Sequence, residues 1–104
     1  MITETATDTG LDELVAAQVA ELFSALGDMS RIRIIALLSE DEMSVGRLAE
    51  RVGLSQSAVS HHLRHLRQMR LVRTRKDGRH VYYHLDDEHI TEIFQRGLEH
   101  VLHG

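Results

Sequence analysis

The sequence contains no cysteine, no proline and no long run of apolar residues. The absence of cysteine excludes a disulfide framework and any thiolate metal ligand. No stretch approaches the roughly 18 consecutive apolar residues of a transmembrane helix, and the N-terminus lacks the charged and then apolar pattern of a signal peptide. With 104 residues, of which 42% are hydrophobic, we predict one soluble, cytoplasmic domain with a modest core.

Charge is strongly segregated along the chain, although the net charge is only -4. Residues 1–46 contain nine acidic and two basic side chains, whereas residues 47–80 contain two acidic and nine basic ones. Residues 81–104 are acidic again, with five carboxylates and one arginine. A basic segment inside an acidic chain indicates a polyanionic partner for that segment alone, and the alternative is an ordinary solvated charged surface.

The apolar spacing predicts a mostly helical α+β fold. Residues 1–10 are small, polar and acidic, and we predict a disordered tail before a single domain at residues 11–104. Helices are predicted at 11–26, which Gly27 ends, and at 30–39, with Asp28 or Ser30 as the cap. A last helix is predicted at 86–102, where an acidic first turn precedes a regular apolar stripe.

Two short helices between these have matching start signals. Ser44 and Ser55 are predicted N-caps, and Gly53 is the predicted end of the first helix. Apolar residues on both sides of each serine form hydrophobic staples, Met43 with Leu48 and Leu54 with Val59. This arrangement predicts a helix-turn-helix.

The second of these helices shows a polar face without carboxylates, as base recognition in a major groove requires. The alternative is a solvated helix face, but such faces usually include Glu or Asp. A basic β-hairpin is predicted to follow, with Asp77-Gly78 as its turn between strands at 72–76 and 79–85. Together these features predict a winged helix-turn-helix that binds double-stranded DNA through Gln56, Ser57, Ser60, His61, Arg64, Arg75, Lys76 and Arg79.

The C-terminal segment contains the pattern D-x-H-x10-H-x2-H, formed by Asp87, His89, His100 and His103. His89 and His100 would share one helix face but would lie about 16 Å apart along the axis, too far for one metal ion. Two antiparallel copies of the helix would bring Asp87 and His89 of one copy opposite His100 and His103 of the other. We therefore predict a homodimer with two sites for Zn(II), with Co(II) or Ni(II) as the alternatives, each with one carboxylate and three imidazoles.

The other five histidines, His61, His62, His65, His80 and His84, form no closed ligand set and are interpreted as DNA-facing or surface residues. A catalytic zinc usually has three protein ligands and an open position, whereas four ligands are available here without a further base. We therefore predict no enzymatic activity, no small-molecule substrate and no membrane partner. A zinc ion that only stabilises the dimer is the remaining alternative.

The chain resembles the ArsR/SmtB family of dimeric winged-helix metal-sensing repressors, and most closely the CzrA type of zinc and cobalt sensors. The resemblance covers nearly the whole chain, through ALGDMSRIRIIALL, MSVGRLAERVGLSQSAVSHHLRHLRQMRLV, RKDGRHVYYHLDDEH and the final H-x2-H. It implies an apo-form repressor that Zn(II) or Co(II) releases from its operator, which derepresses metal efflux or resistance genes. Asp87, His89, His100 and His103 match the metal ligands of that type.

The resemblance also implies a DNA contact at Val45 and a link from the second ring nitrogen of His100 to a main-chain carbonyl near Arg70. The family's other sensing site uses cysteines where this chain has Met43-Ser44-Val45-Gly46, so sensing of arsenic, cadmium or lead by that route is not expected. Nickel sensors of the family recruit additional ligands from their termini, and the N-terminal segment here contains no histidine.

Overall fold

The computed structural model describes residues 10–104, so the predicted tail lies outside the described residues except for Gly10. Five helices and one two-stranded antiparallel sheet make up this part of the chain. In chain order they are α1 (Glu13–Leu26), α2 (Met29–Leu38), α3 (Val45–Val52), α4 (Gln56–Gln68), β1 (Val72–Asp77), β2 (His80–Leu85) and α5 (Glu88–His103). The predicted winged helix-turn-helix fold is confirmed.

Short polar side chains begin every one of these helices by accepting a backbone N–H from the first turn, which would otherwise lack a partner. The predicted caps Asp28, Ser44 and Ser55 are confirmed. Asp12 and Asp87 cap α1 and α5, so these helices begin two residues later than the apolar spacing predicted. Cap geometry rather than hydrophobic periodicity sets the first residue of each.

The core lies where α2, α3 and α4 pack together. Their inward-facing apolar residues are almost fully buried there: Ile34, Ile35, Leu38, Leu48, Ala49, Val52, Val59, Leu63 and Leu66. Burial of each large aliphatic side chain stabilises the fold by about 1.5–3 kcal/mol relative to its exposure. Met43 and Leu54 join this cluster, as the two predicted staples require.

The hairpin turn lies one residue later than predicted. Asp77 pairs with His80, so the two-residue loop is Gly78-Arg79 rather than Asp77-Gly78. Gly78 has φ +64°, and glycine with positive φ at the first loop position is typical of a type II′ turn. The sequence signal located the hairpin but not its register, because glycine suits either position of a primed turn.

The backbone of Met43 also pairs with Tyr83 of β2. Met43 N–H donates to the Tyr83 carbonyl at 3.1 Å, and Tyr83 N–H donates to the Met43 carbonyl at 2.8 Å. Met43 directly precedes the Ser44 cap of α3, and Tyr83 packs against the core. The hairpin is thereby attached to the start of the helix-turn-helix by main-chain hydrogen bonds.

Arg70 is the one non-glycine residue with positive φ, +61°, in the described chain. It follows the end of α4, where Leu71 N–H donates to the Leu66 carbonyl at 2.8 Å and Arg70 N–H donates to the Arg67 carbonyl at 3.0 Å. These two bonds form a Schellman motif, whose left-handed position usually holds glycine. Backbone bonding therefore holds Arg70 in a conformation that a side chain disfavours.

The two helices at the edges of the fold, α1 and α5, contribute little to this core. Only Ala25 and Leu26 of α1 and Ile90 of α5 are buried. Apolar side chains on both helices are exposed instead, among them Leu14, Val15, Val19, Phe23, Leu98, Val101 and Leu102. No helix in residues 10–104 combines the length and the hydrophobicity needed to cross a bilayer.

Candidate DNA-binding surface and metal centre

The polar face of α4 points away from the core. Val59, Leu63 and Leu66 anchor the opposite face at 0–1% exposure, which fixes the rotation of the helix. Gln56, Ser57, His61 and Arg64 are consequently exposed, and Ser60 is half-buried at the edge of the face. Val45 is half-buried in the first turn of α3. The structure thus brings the predicted base-reading residues onto one surface.

His62 departs from the interpretation as a DNA-facing or surface residue. It is half-buried, and its Nδ1 atom accepts a hydrogen bond from the Nε–H of Arg31 at 3.2 Å. Arg31 also donates to the main-chain carbonyl of Ala25 at 3.3 Å. His62 therefore connects α4 to α2. This tertiary contact joins residues 31 positions apart, and sequence spacing does not reveal it.

Arg75, a predicted DNA contact on the hairpin, is oriented by the carboxylate of Glu42, which lies outside the hairpin. Its Nε and Nη2 atoms donate to Glu42 Oε1 and Oε2 at 2.8 and 2.9 Å, and its guanidinium lies 5.0 Å from the centre of the Tyr82 ring. The hydrogen bond lowers the pKa of Glu42 and raises that of Arg75. Lys76 and Arg79 are exposed at the hairpin tip.

Two of the predicted metal ligands lie together at the start of α5. Asp87 Oδ1 accepts the backbone N–H of His89 at 2.8 Å and lies 3.4 Å from His89 Nδ1. Desolvation is the largest single influence on the pKa of Asp87 and raises it, but the backbone and side-chain hydrogen bonds from His89 lower the pKa overall. A carboxylate that stays ionised beside an exposed imidazole is a suitable pair of metal donors.

The other two predicted ligands, His100 and His103, lie at the opposite end of α5. They line an open hollow with Arg96, Glu99 and Gly104. Within residues 10–104 no group of three or more His, Asp or Glu side chains is placed to hold one metal ion. The four predicted ligands therefore lie as two separate pairs at the two ends of α5. We call each pair a predicted half-site.

An apolar groove of about 430 Å³ runs beside α5. Phe23 and Leu26 of α1, Ile32 of α2 and the stripe of α5 line it, the last consisting of Ile90, Ile93, Phe94, Gly97, Leu98 and Val101. The predicted apolar face of the last helix is thus real, but only its N-terminal half reaches the core, through the buried Ile90 and the partly buried Ile93 and Phe94. The rest of the face remains open in the single chain.

Sequence comparison relates this chain to bacterial regulators. Residues 28–74 match the model of the family described as "Bacterial regulatory protein, arsR family". The transcriptional repressor SmtB homolog of Synechocystis is 46% identical over 86 residues. The alignment spans 83% of this chain and 65% of that protein, so the chain covers just under two thirds of this relative's length. The cadmium resistance regulatory protein CadC homolog of Staphylococcus aureus is 40% identical, with 79% of this chain and 69% of that protein covered.

Solved structures agree with these matches. The homodimeric winged helix-turn-helix DNA-binding domain of a possible ArsR-family regulator from Mycobacterium bovis superposes with a TM-score of 0.75 at 29% identity. The alignment covers 86% of this chain and 81% of that domain.

Proposed function

The chain belongs to the ArsR family of bacterial regulatory proteins, and from that premise we propose that it is a metal-responsive transcriptional repressor. As a metal-free homodimer it would bind operator DNA, and binding of Zn(II) or Co(II) at the C-terminal helix would release it. The consequence in the cell would be derepression of metal efflux or resistance genes.

Operator binding is supported by the exposed polar face of α4 and by the cationic hairpin beside it. Gln56 and Ser57 lie in the first turn of α4, where short hydrogen-bonding groups can meet base edges. Lys76 and Arg79 at the hairpin tip are free to contact the sugar-phosphate backbone. Glu42 leaves the Nη1 atom of Arg75 available for a phosphate, so Arg75 remains in the proposed contact set.

Homodimerisation is supported by the open apolar groove and by the homodimeric relative described above. Phe23 and Leu26 of α1 line the same groove as the apolar stripe of α5, and a second copy could bury this surface across a two-fold axis. Such an arrangement would also complete the hydrophobic core of a chain this small.

The observation that carries the metal proposal is the division of four donors between the two ends of one helix. Asp87 and His103 lie about 24 Å apart along α5, whereas each ligand must come within about 2 Å of the ion. Antiparallel packing of two α5 helices would combine each half-site with the complementary half-site of the partner. One carboxylate and three neutral imidazoles suit a tetrahedral Zn(II) or Co(II) ion.

A metal effector in general is also supported by the name of the Staphylococcus relative, which refers to cadmium resistance. This chain has no cysteine, so the thiolate ligands that favour softer ions are absent and the ligand set favours zinc or cobalt. For the coupling, we propose that His100, oriented by the metal through one ring nitrogen, would engage a main-chain carbonyl near Arg70 through the other.

The test is fluorescence anisotropy of the metal-free dimer on DNA that contains its operator, before and after one equivalent of Zn(II) per chain. We expect zinc to weaken binding by about 5- to 150-fold, the usual range of such coupling. His100→Asn should preserve metal-free affinity but lose the response, and His80→Asn, outside the four ligands, should retain it. Tight binding that zinc leaves unchanged would instead make the site structural.

Acidic pH supplies a second check, because imidazole binds a metal only in its neutral form. Zinc affinity should fall between about pH 7.5 and 5.5, as histidine ligation demands. Affinity that stays constant over this range would contradict the proposed ligand set.

A further inference from the structure

Three arginines surround an open hollow at the base of the hairpin. Arg67, Arg70 and Arg73 line it together with Val72, Thr74 and Asp86, and its volume is about 500 Å³. We call this feature the arginine hollow. It lies where the end of α4, the connection at Arg70 and the start of β1 meet.

The arginine hollow has a net positive charge, because its three arginines face only one carboxylate, that of Asp86. Arg73 Nε lies 3.5 Å from Asp86 Oδ1, a partly exposed ion pair. In the part of the chain that the structure describes, the guanidinium groups of Arg67 and Arg70 have neither an ion pair nor a hydrogen bond. Arg31, Arg47 and Arg75, by contrast, each have a side-chain partner. Two uncompensated guanidinium groups therefore face the hollow.

The backbone at Arg70 provides an independent indication that its side chain has a role. With φ +61°, it occupies the left-handed position of the Schellman motif, where glycine costs least. An arginine there brings no benefit to the local fold that a glycine would lack. Its guanidinium lines the hollow, so a ligand of the hollow would explain why this position holds a long cation.

The arginine hollow adjoins the DNA-reading face of α4. Arg67 follows Ser60 by seven residues, so it lies about 10 Å further along the helix and within about 20° of the same direction. In homeodomains the C-terminal end of the helix that reads the major groove also contacts the DNA backbone. A corresponding placement of α4 would bring the hollow to a phosphate that flanks the contacted bases.

We propose that the arginine hollow binds a backbone phosphate of the operator and so extends the footprint beyond α4 and the hairpin tip. This inference rests on the proposed DNA-binding function and adds a contact to it. Guanidinium groups suit phosphate because their planar donors can bind its oxygens in pairs. The contact carries no sequence information, so it strengthens binding to any DNA.

The decisive variant is Arg70→Gly, because its effects on folding and on binding have opposite signs. Glycine removes the backbone strain, so the melting temperature should rise by a few degrees, which also shows that the variant folds. DNA affinity of the metal-free dimer should nevertheless fall severalfold on operator and unrelated duplexes alike. The steepness with which the logarithm of the DNA association constant falls against the logarithm of the salt concentration should decrease by about one per hollow.

Two further variants serve as controls. Arg33→Ala removes one exposed charge of α2 outside the hollow and should leave the salt slope unchanged. Asp86→Asn removes the one carboxylate of the hollow while keeping the backbone N–H that donates to the Leu71 carbonyl at 3.0 Å. It should increase DNA affinity severalfold on any sequence.

Each outcome has a separate meaning. An Arg70→Gly variant that binds DNA like the wild type, with the same salt slope, overturns the inference but not the proposed function. A change in dimer dissociation with an unchanged salt slope also overturns it and makes the hollow a protein interface. A wild-type dimer without salt-dependent DNA binding would overturn both.

Discussion

The helix-turn-helix and the pair of outer helices differ in how much of their structure one chain completes. In α3 and α4 the apolar stripes are buried apart from the half-buried Val45, both starts are capped, and the polar face of α4 is exposed. In α1 and α5 the apolar stripes are largely exposed, and the predicted metal donors are separated into two pairs at the ends of α5. One chain completes the packing of the first region, whereas in the proposed dimer a second copy would complete the other.

Of the changes that test this difference between the two regions, truncation of a core side chain in the helix-turn-helix should have the largest effect on stability. Leu63 of α4 is 1% exposed, so Leu63→Ala should reduce the free energy of unfolding by about 2–5 kcal/mol. Urea denaturation at fixed protein concentration would measure the loss. A cost below about 1 kcal/mol would show that this region, too, depends on association for its stability.

A charge on the exposed stripe of α5 should have the next largest effect, on association rather than on folding. Val101 is 80% exposed in the single chain, and Val101→Asp would place a carboxylate in the proposed dimer interface. We expect dimer dissociation to increase by about 100-fold, measured by analytical ultracentrifugation. Glu99→Gln, an exposed change on the same helix, is the matched control; a Val101→Asp dimer as tight as wild type would exclude α5 from the interface.

Loss of the α2 cap should have an intermediate effect that depends on pH. Asp28 accepts the Arg31 N–H at 3.0 Å, and this hydrogen bond lowers the pKa of the carboxyl in the folded state. A lowered folded-state pKa contributes stability above the unfolded pKa of about 3.9, and this stability is lost as pH falls through the folded value. Asp28→Ala should therefore cost about 1 kcal/mol at pH 7.

Thermal unfolding of wild type and Asp28→Ala at several pH values would test this prediction. The difference between them should shrink as the pH falls below about 4, because the protonated carboxyl is a weaker cap. A difference that remains constant down to pH 2 would mean that the cap contributes without its charge.

The salt bridge that orients the hairpin should have the smallest effect. Arg75 is 48% exposed in its side chain, and surface ion pairs typically contribute only about 0–1 kcal/mol. Glu42→Gln should thus lower the free energy of unfolding by no more than this contribution, measured by urea denaturation, and should not decrease the salt slope of DNA binding, since no cation is lost. Arg75→Ala, in contrast, should decrease that slope by about one; equal slopes would limit Arg75 to positioning the hairpin.

The sequence predicted the helix-turn-helix, α3 and α4, far better than the outer helices α1 and α5. The Ser44 and Ser55 caps and the residues of the two hydrophobic staples are local signals, and the structure confirms the caps and the burial of the staples. The hairpin register was wrong by one residue, because the turn signal does not specify which loop position Gly78 takes. Local patterns therefore determine element types more reliably than register.

Contacts between distant residues had no such signal. Arg31 with His62 and Glu42 with Arg75 are separated by 31 and 33 residues, and only packing brings each pair together. The left-handed Arg70 was also not predictable, since glycine is the residue that marks such positions. The metal pattern stays a prediction, because its geometry depends on a second copy.

The main-chain pairing of Met43 with Tyr83 affects how a dimer would match the spacing of the major grooves in DNA. Because the hairpin and the start of α3 share backbone hydrogen bonds, and α3 packs against α4, these elements form one connected reading unit. In the proposed dimer, a signal from α5 would then act on the separation and tilt of the two units. DNA presents successive major grooves about 34 Å apart, so a shift of a few ångströms would leave both units intact but out of phase with the double helix.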